Sequence, residues 1–90
     1  MRQQALIRVS GKVQGVWFRK YTREQALDLA LTGWVRNESD GSVLITACGQ
    51  PDRLSAFLVL CQKGSPHSRA DHIDVTYQEP ENWDSFTIQR

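Results

Sequence analysis

The sequence predicts an α+β sandwich in which one sheet carries two helices on a single face. Three observations predict it. Apolar residues alternate with period two in Ala5–Ser10, Ser42–Cys48 and Ala70–Gln78. They repeat at helical spacing after Phe18 and again after Pro51, and Asp40-Gly41 marks a tight turn between two of the extended runs.

The first strand places Ala5, Ile7 and Val9 on one side and Leu6, Arg8 and Ser10 on the other, the pattern of a half-buried strand. From Phe18 the period changes. Phe18, Thr22, Ala26, Leu29 and Ala30 fall on one helical stripe, while Lys20, Arg23, Glu24 and Asp28 fall elsewhere. Gly33 is expected to end this helix by taking positive φ, and Trp34–Asn37 then begins the second strand. After the Asp40-Gly41 turn, the third strand sets Val43, Ile45 and Ala47 against Leu44, Thr46 and Cys48. Pro51 suits the first turn of a second helix, whose Leu54, Phe57, Leu58 and Cys61 follow the i, i+3, i+4, i+7 spacing and which Gly64 is placed to stop. Ile73, Val75 and Tyr77 mark a fourth strand, and Ser85–Gln89, with Phe86 and Ile88, a short last one.

A strand–helix–strand unit favours a right-handed crossover, which puts both helices on one face. The predicted architecture is therefore a ferredoxin-like α/β sandwich, βαββαβ plus a short C-terminal strand, with an antiparallel sheet. The helix-free face is expected to be open to solvent, leaving Leu44, Thr46 and Cys48 less buried than their neighbours.

Ninety residues are expected to form one domain, 1–90, because two halves would each bury too little apolar surface against their chain entropy. Hydrophobic residues at 40% and charged residues at 23% suit an ordinary globular protein, and no apolar run is long enough to cross a bilayer. No membrane partner is expected. The opening Met-Arg-Gln-Gln-Ala-Leu-Ile-Arg lacks an apolar signal segment, so a cytoplasmic protein is expected, with Cys48 and Cys61 as thiols. Two cysteines without a histidine pair give no zinc site, and no metal or cofactor is expected. A net charge of +1 argues against nucleic acid as partner and leaves room for a small anion.

The candidate for that anion's site is the turn Gly11-Lys-Val-Gln-Gly-Val-Trp-Phe-Arg-Lys20. A glycine-containing turn feeding a helix points backbone N–H groups inward, and the helix dipole adds positive potential at the same end. Arg19, in the first helical turn, offers two planar donors to phosphate oxygens. The spacing fits neither the nucleoside-triphosphate loop nor the dinucleotide fingerprint. On these residues alone, a solvated Arg19 and an Asn37 that serves only a turn are the commoner outcomes, and an anion sensor is as open as an enzyme. An RNA-binding sheet fits less well, because Val43–Ala47 has no aromatic residue for stacking.

Taken together, Gly11-Lys-Val-Gln-Gly-Val-Trp-Phe-Arg19, Gly33-Trp-Val-Arg-Asn37, Asp40-Gly-Ser-Val43 and Gly64-Ser-Pro-His-Ser-Arg-Ala-Asp71 resemble an acylphosphatase over nearly the whole chain. The resemblance implies a metal-independent hydrolase that splits acyl phosphates into carboxylate and inorganic phosphate by in-line attack of water. It implies catalytic roles for Arg19, which grips the phosphate, and Asn37, which positions the water. The phosphate-binding amides would be those of Gln14, Gly15, Val16, Trp17 and Phe18. A monomer with a small-molecule acyl phosphate as substrate is expected. Trp17 stands at a loop position that varies in that family and is expected to bear on access to the site. The N-terminal tail is only a few residues long.

A carboxylate is a stable leaving group, so the reaction needs positioning and electrostatic stabilisation rather than a strong general acid or base. His67 and His72 are accordingly assigned structural or exposed positions, Lys12 and Lys20 a share of the positive potential, and Asp40 only its turn. Phe18 and Trp34 are read as core members.

Overall fold

The computed structural model describes residues 1–15 and 17–89, and within them the chain runs β1 (Gln3–Lys12), α1 (Phe18–Asp28), β2 (Thr32–Asn37), β3 (Val43–Gly49), α2 (Pro51–Lys63), β4 (Arg69–Gln78) and β5 (Phe86–Ile88). The strand order across the sheet is β4-β1-β3-β2-β5. The alternation read from the sequence is the alternation of the faces. Ala5, Ile7, Val9, Val35, Val43, Ile45 and Ala47 join Phe18, Ala26, Leu54, Phe57, Cys61 and Phe86 in one buried cluster, which places both helices against the same face. Phe57 and Phe86 meet edge to face within it, with ring centroids 6.2 Å apart.

Strand register decides which loops share an end of the sheet. Val43 of β3 faces Val9 of β1 on one side and Asn37 of β2 on the other. Strands β1 and β2 both run antiparallel to β3, so both reach the same end of the sheet. The segment leaving β1 and the residue ending β2 therefore meet there.

Three expectations are corrected. The sheet is mixed, because β5 pairs parallel to β2. The cause is the path of the chain after β4, whose last residue, Gln78, lies opposite Gln4 near the start of β1. The buried Gln4 amide holds the crossing segment at that end: its oxygen accepts from the Glu81 amide (2.9 Å) and Trp83 Nε1 (3.2 Å), and its nitrogen donates to Glu81 Oε1 (2.8 Å). Strand β5 thus enters the sheet from the end where β1 and β2 also begin.

The helix-free side of β3 is also more covered than alternation suggests, for Leu44, Thr46 and Cys48 are all buried. Cys48 lies beneath the crossing segment, with its Sγ 3.7 Å from the Glu81 carbonyl oxygen. Thr46 lies in register between Leu6 and Trp34, and Leu44 between Arg8 and Arg36. A central strand flanked by long side chains is roofed by them even without a helix, because their stems lie along its apolar surface.

Helix α1 ends before Gly33. Ala30 takes the left-handed conformation at φ 57° and donates to Leu27 O (3.1 Å), while Leu31 donates to Ala26 O (2.9 Å), the paired bonds of a Schellman cap. Gly33 serves β2 instead, since a Cβ there would collide with the Thr46 carbonyl oxygen.

Candidate active site

The loop after β1 and the start of α1 form one wall of a cleft of about 470 Å³ whose lining includes Gly15, Trp17, Arg19, Lys20, Asn37 and Ile88. Of the two glycines in the predicted turn, Gly11 sits in the β1–β4 bulge and Gly15 sits at the cleft. Gly15 has φ 74° and open space where a Cβ would project, so an anion can approach its backbone closely. Trp17 also has positive φ, 64°, and forms the N-cap of α1 without any side-chain hydrogen bond to the first turn. No acidic residue occupies that turn. The amides at the start of α1 are therefore left to a ligand or solvent, at the positive end of the helix dipole.

The cleft brings Arg19 and Asn37 together, along with Gly15, Trp17 and Phe18 of the predicted cradle. Val16 lies outside the described residues. Arg19 is half-buried, and its guanidinium has no hydrogen bond or ion pair among the described residues. Lys20 lines the same cleft, and its ion pair with Glu24 is long (4.0 Å) and exposed, so it leaves most of the positive potential in place. Among the described residues, the charged residues lining the cleft are these two cations. Asn37 Oδ1 is buried with no hydrogen-bond partner among the described residues. Buried oxygens are nearly always paired, so this unpaired one, on a residue that lines the cleft, stands out.

Gln14, expected to offer its backbone amide, is not among the residues lining the cleft, but its side chain has a part of its own. Its side-chain nitrogen donates to both Glu38 O and Ser42 O at 2.8 Å, which straps the cradle loop to the β2–β3 turn immediately after Asn37. That turn is fixed from its other side as well. Asp40 Oδ1 accepts from the Ser42 amide (2.9 Å) and hydroxyl (2.6 Å), Arg8 donates to Ser42 Oγ (2.8 Å), and Arg36 donates to Glu38 Oε2 (3.1 Å). The Asp40 carboxyl is held below the ordinary aspartate range, chiefly by the Ser42 hydroxyl and amide.

Sequence reasoning missed the supporting parts of Arg8 and Gln14. The only signal for Arg8 was its place on the helix-free side of β1, and Gln14 gave none beyond lying in the loop. Ile88 was also missed, although the pairing of β5 with β2 sets it opposite Val35, two residues before Asn37. The structure keeps Phe18 in the core, whereas Trp34 lies on the helix-free face with the Arg36 guanidinium 4.7 Å from its ring centre. His72 is exposed and paired with Asp74 at 3.0 Å. Among the described residues, no three His, Cys, Asp or Glu side chains gather so as to hold a metal ion.

The acylphosphatase family model matches residues 5–88. The acylphosphatase of Rhizorhabdus wittichii is 58% identical over 69 residues, 77% of this chain and 70% of that protein. The acylphosphatase of Natronomonas pharaonis is 39% identical over 89 residues, 99% of this chain and 97% of that one. Among solved structures, the crystal structure of the Bacillus subtilis acylphosphatase superimposes with a TM-score of 0.96 at 38% identity, covering 100% of both chains. The chain belongs to the acylphosphatase family.

Proposed function

We propose that this enzyme hydrolyses the carboxyl–phosphate bond of acyl phosphates by in-line attack of water at phosphorus, with no metal ion, and that Arg19 and Asn37 are its catalytic side chains. The observation that supports the residue roles is that Asn37, whose buried Oδ1 has no partner among the described residues, lines the same cleft as Arg19 and Lys20. An amide oxygen accepts a hydrogen bond from water but is not a base, so it fixes the direction of attack without taking the proton.

The amides of Gln14, Gly15, Val16, Trp17 and Phe18 cradle the phosphoryl oxygens, and the free guanidinium of Arg19 offers two parallel N–H groups to them. As the water oxygen bonds to phosphorus, the phosphorus–acyl oxygen bond breaks and its electron pair leaves with the carboxylate. The water proton passes to a phosphoryl oxygen. Fixed dipoles and cations carry the charge of the transition state, the kind of stabilisation that does not have to reorganise as the reaction proceeds.

We read residues 1–90 as one domain acting as a cytoplasmic monomer, with inorganic phosphate as product and neither nucleic acid nor a membrane as partner. The family match over 5–88 and the net charge of +1 support this reading. Among the described residues no helix is long and apolar enough to cross a membrane.

The deciding experiment measures phosphate release from benzoyl phosphate in the presence of a chelator, for the parent enzyme, Arg19→Ala and Asn37→Ala. Full activity with chelator is expected. Arg19→Ala should lose affinity and turnover together, whereas Asn37→Ala should lose turnover while inorganic phosphate still inhibits at the parent concentration. Loss of phosphate affinity in Asn37→Ala with turnover intact would reject the water-positioning role.

A further inference from the structure

Trp17 is a large indole with no structural explanation for its place. It is 77% exposed, so core packing does not account for it. It forms no side-chain cap on α1, yet its backbone is held at φ 64°, a conformation that bulky residues rarely adopt and that glycine would take without cost. Backbone strain of this kind persists where function uses it.

Its surroundings supply the use. A second cleft of about 310 Å³ adjoins the first, and Trp17 and Lys20 line both. The second cleft is lined besides by Tyr21, Glu24, Ser65, Pro66 and His67, and Asn37 is not among its lining residues. Lys20 Nζ stands 5.9 Å from the Trp17 ring centre, within cation–π range. Tyr21 is anchored at both ends, its hydroxyl donating to Leu60 O at 3.2 Å and its ring 6.3 Å from that of Phe18. Trp17 and Tyr21 thus put two aromatic side chains into the lining of the second cleft.

In-line displacement fixes where the acyl group must go. The leaving carboxylate departs from the face of phosphorus opposite the attacking water, so the acyl group points away from Asn37. The second cleft shares Trp17 and Lys20 with the first and is lined without Asn37. Its volume exceeds the roughly 150 Å³ that suffices for a benzene ring.

Resting on the acylphosphatase reading above, we propose that Trp17 and the cleft formed with Tyr21 and Pro66 are the acyl-group subsite, and that it selects flat, aromatic acyl phosphates over short aliphatic ones. The phosphate cradle treats all acyl phosphates alike, and discrimination comes from the ring stacked beyond it.

The test is the ratio of kcat/KM for benzoyl phosphate to that for acetyl phosphate, which cancels any general loss of activity. In Trp17→Gly, which suits the positive φ, this ratio should fall about tenfold, the scale of one aromatic contact plus its buried area. Trp17→Phe should restore part of it. Pro66→Asp, an exposed change on a different segment, should lower the same ratio by setting a carboxylate against the ring in place of the apolar Pro66. A ratio unchanged in both Trp17→Gly and Pro66→Asp, in an enzyme that hydrolyses both substrates, overturns the subsite. A parent enzyme that hydrolyses neither substrate overturns the underlying reading, and the subsite with it.

Discussion

Gln14 and Glu38 are joined across the candidate site by a 2.8 Å hydrogen bond from side-chain amide to backbone carbonyl, and the same Gln14 nitrogen reaches Ser42 O at 2.8 Å. Gln14 directly precedes Gly15 of the cradle, and Glu38 directly follows Asn37. The bond therefore sets the spacing between the loop proposed to hold phosphate and the residue proposed to position water. Gln14→Met keeps the side-chain length and the backbone amide but removes both donors. Because a misplacement of about 1 Å can cost about 100-fold in rate, kcat should fall at least about tenfold in this variant while inhibition by inorganic phosphate stays within about twofold. Steady-state kinetics with phosphate as competitor measures both. Equal loss in kcat and in phosphate affinity would mean that Gln14 supports only the loop.

The same turn predicts a pH effect through Asp40. Its carboxyl is held below the usual aspartate range by the Ser42 hydroxyl and amide, with a smaller part from Arg8 at 3.5 Å. A carboxyl whose folded pKa is lowered stabilises the fold above its unfolded value of about 3.9, and that stability is lost as pH falls through the folded pKa. Thermal melts of the parent and Asp40→Asn should therefore differ near neutral pH and converge as pH falls through the lowered folded pKa. A difference that stays constant into acid would show that the ionised carboxylate has no part in it.

The order of elements was legible because each arises from a local period: two for the strands, 3.6 for the helices, with Asp40-Gly41 and Pro51 as punctuation. That Arg19 and Asn37 share one cleft was foreshadowed only jointly, by segments matched at family spacing, since neither residue announces its chemistry alone. What stayed hidden depends on residues far apart in sequence. The common level of Val9 and Asn37 beside Val43 is a matter of register. The direction of β5 depends on Gln4 meeting a segment more than seventy residues away. The strap from Gln14 depends on where the β2–β3 turn lands. A period can say which side of a strand a residue occupies, but not what crosses over it.

Ala30 predicts an easy gain in stability. It occupies the left-handed position of the α1 cap at φ 57°, where glycine is the usual residue, and it is exposed. Ala30→Gly removes the Cβ strain at the cost of a more flexible unfolded chain, and the first term exceeds the second at positive φ. Stabilisation of about 0.5–1 kcal/mol is expected from urea melts, with the m-value unchanged. A loss of stability would mean that the chain does not hold this cap in solution.

Gln4 predicts the opposite outcome. It is fully buried, and every polar atom of its amide is engaged: Nε2 donates to Gln78 Oε1 (3.1 Å) and Glu81 Oε1 (2.8 Å), and Oε1 accepts from the Glu81 amide (2.9 Å) and Trp83 Nε1 (3.2 Å). Gln4→Leu fills much the same volume but strands the Glu81 and Trp83 donors, at about 1–3 kcal/mol for each that stays buried. Since Trp83 is only half-buried and can find water, the expected loss is about 2–4 kcal/mol in urea unfolding, a large part of a small domain's stability. Gln4→Glu restores both acceptors but sets a carboxylate against that of Glu81, so it should recover stability only as pH falls and one of the pair takes a proton. If Gln4→Leu cost less than about 0.5 kcal/mol, the crossing segment would not be held by this amide, and the direction of β5 would need another cause.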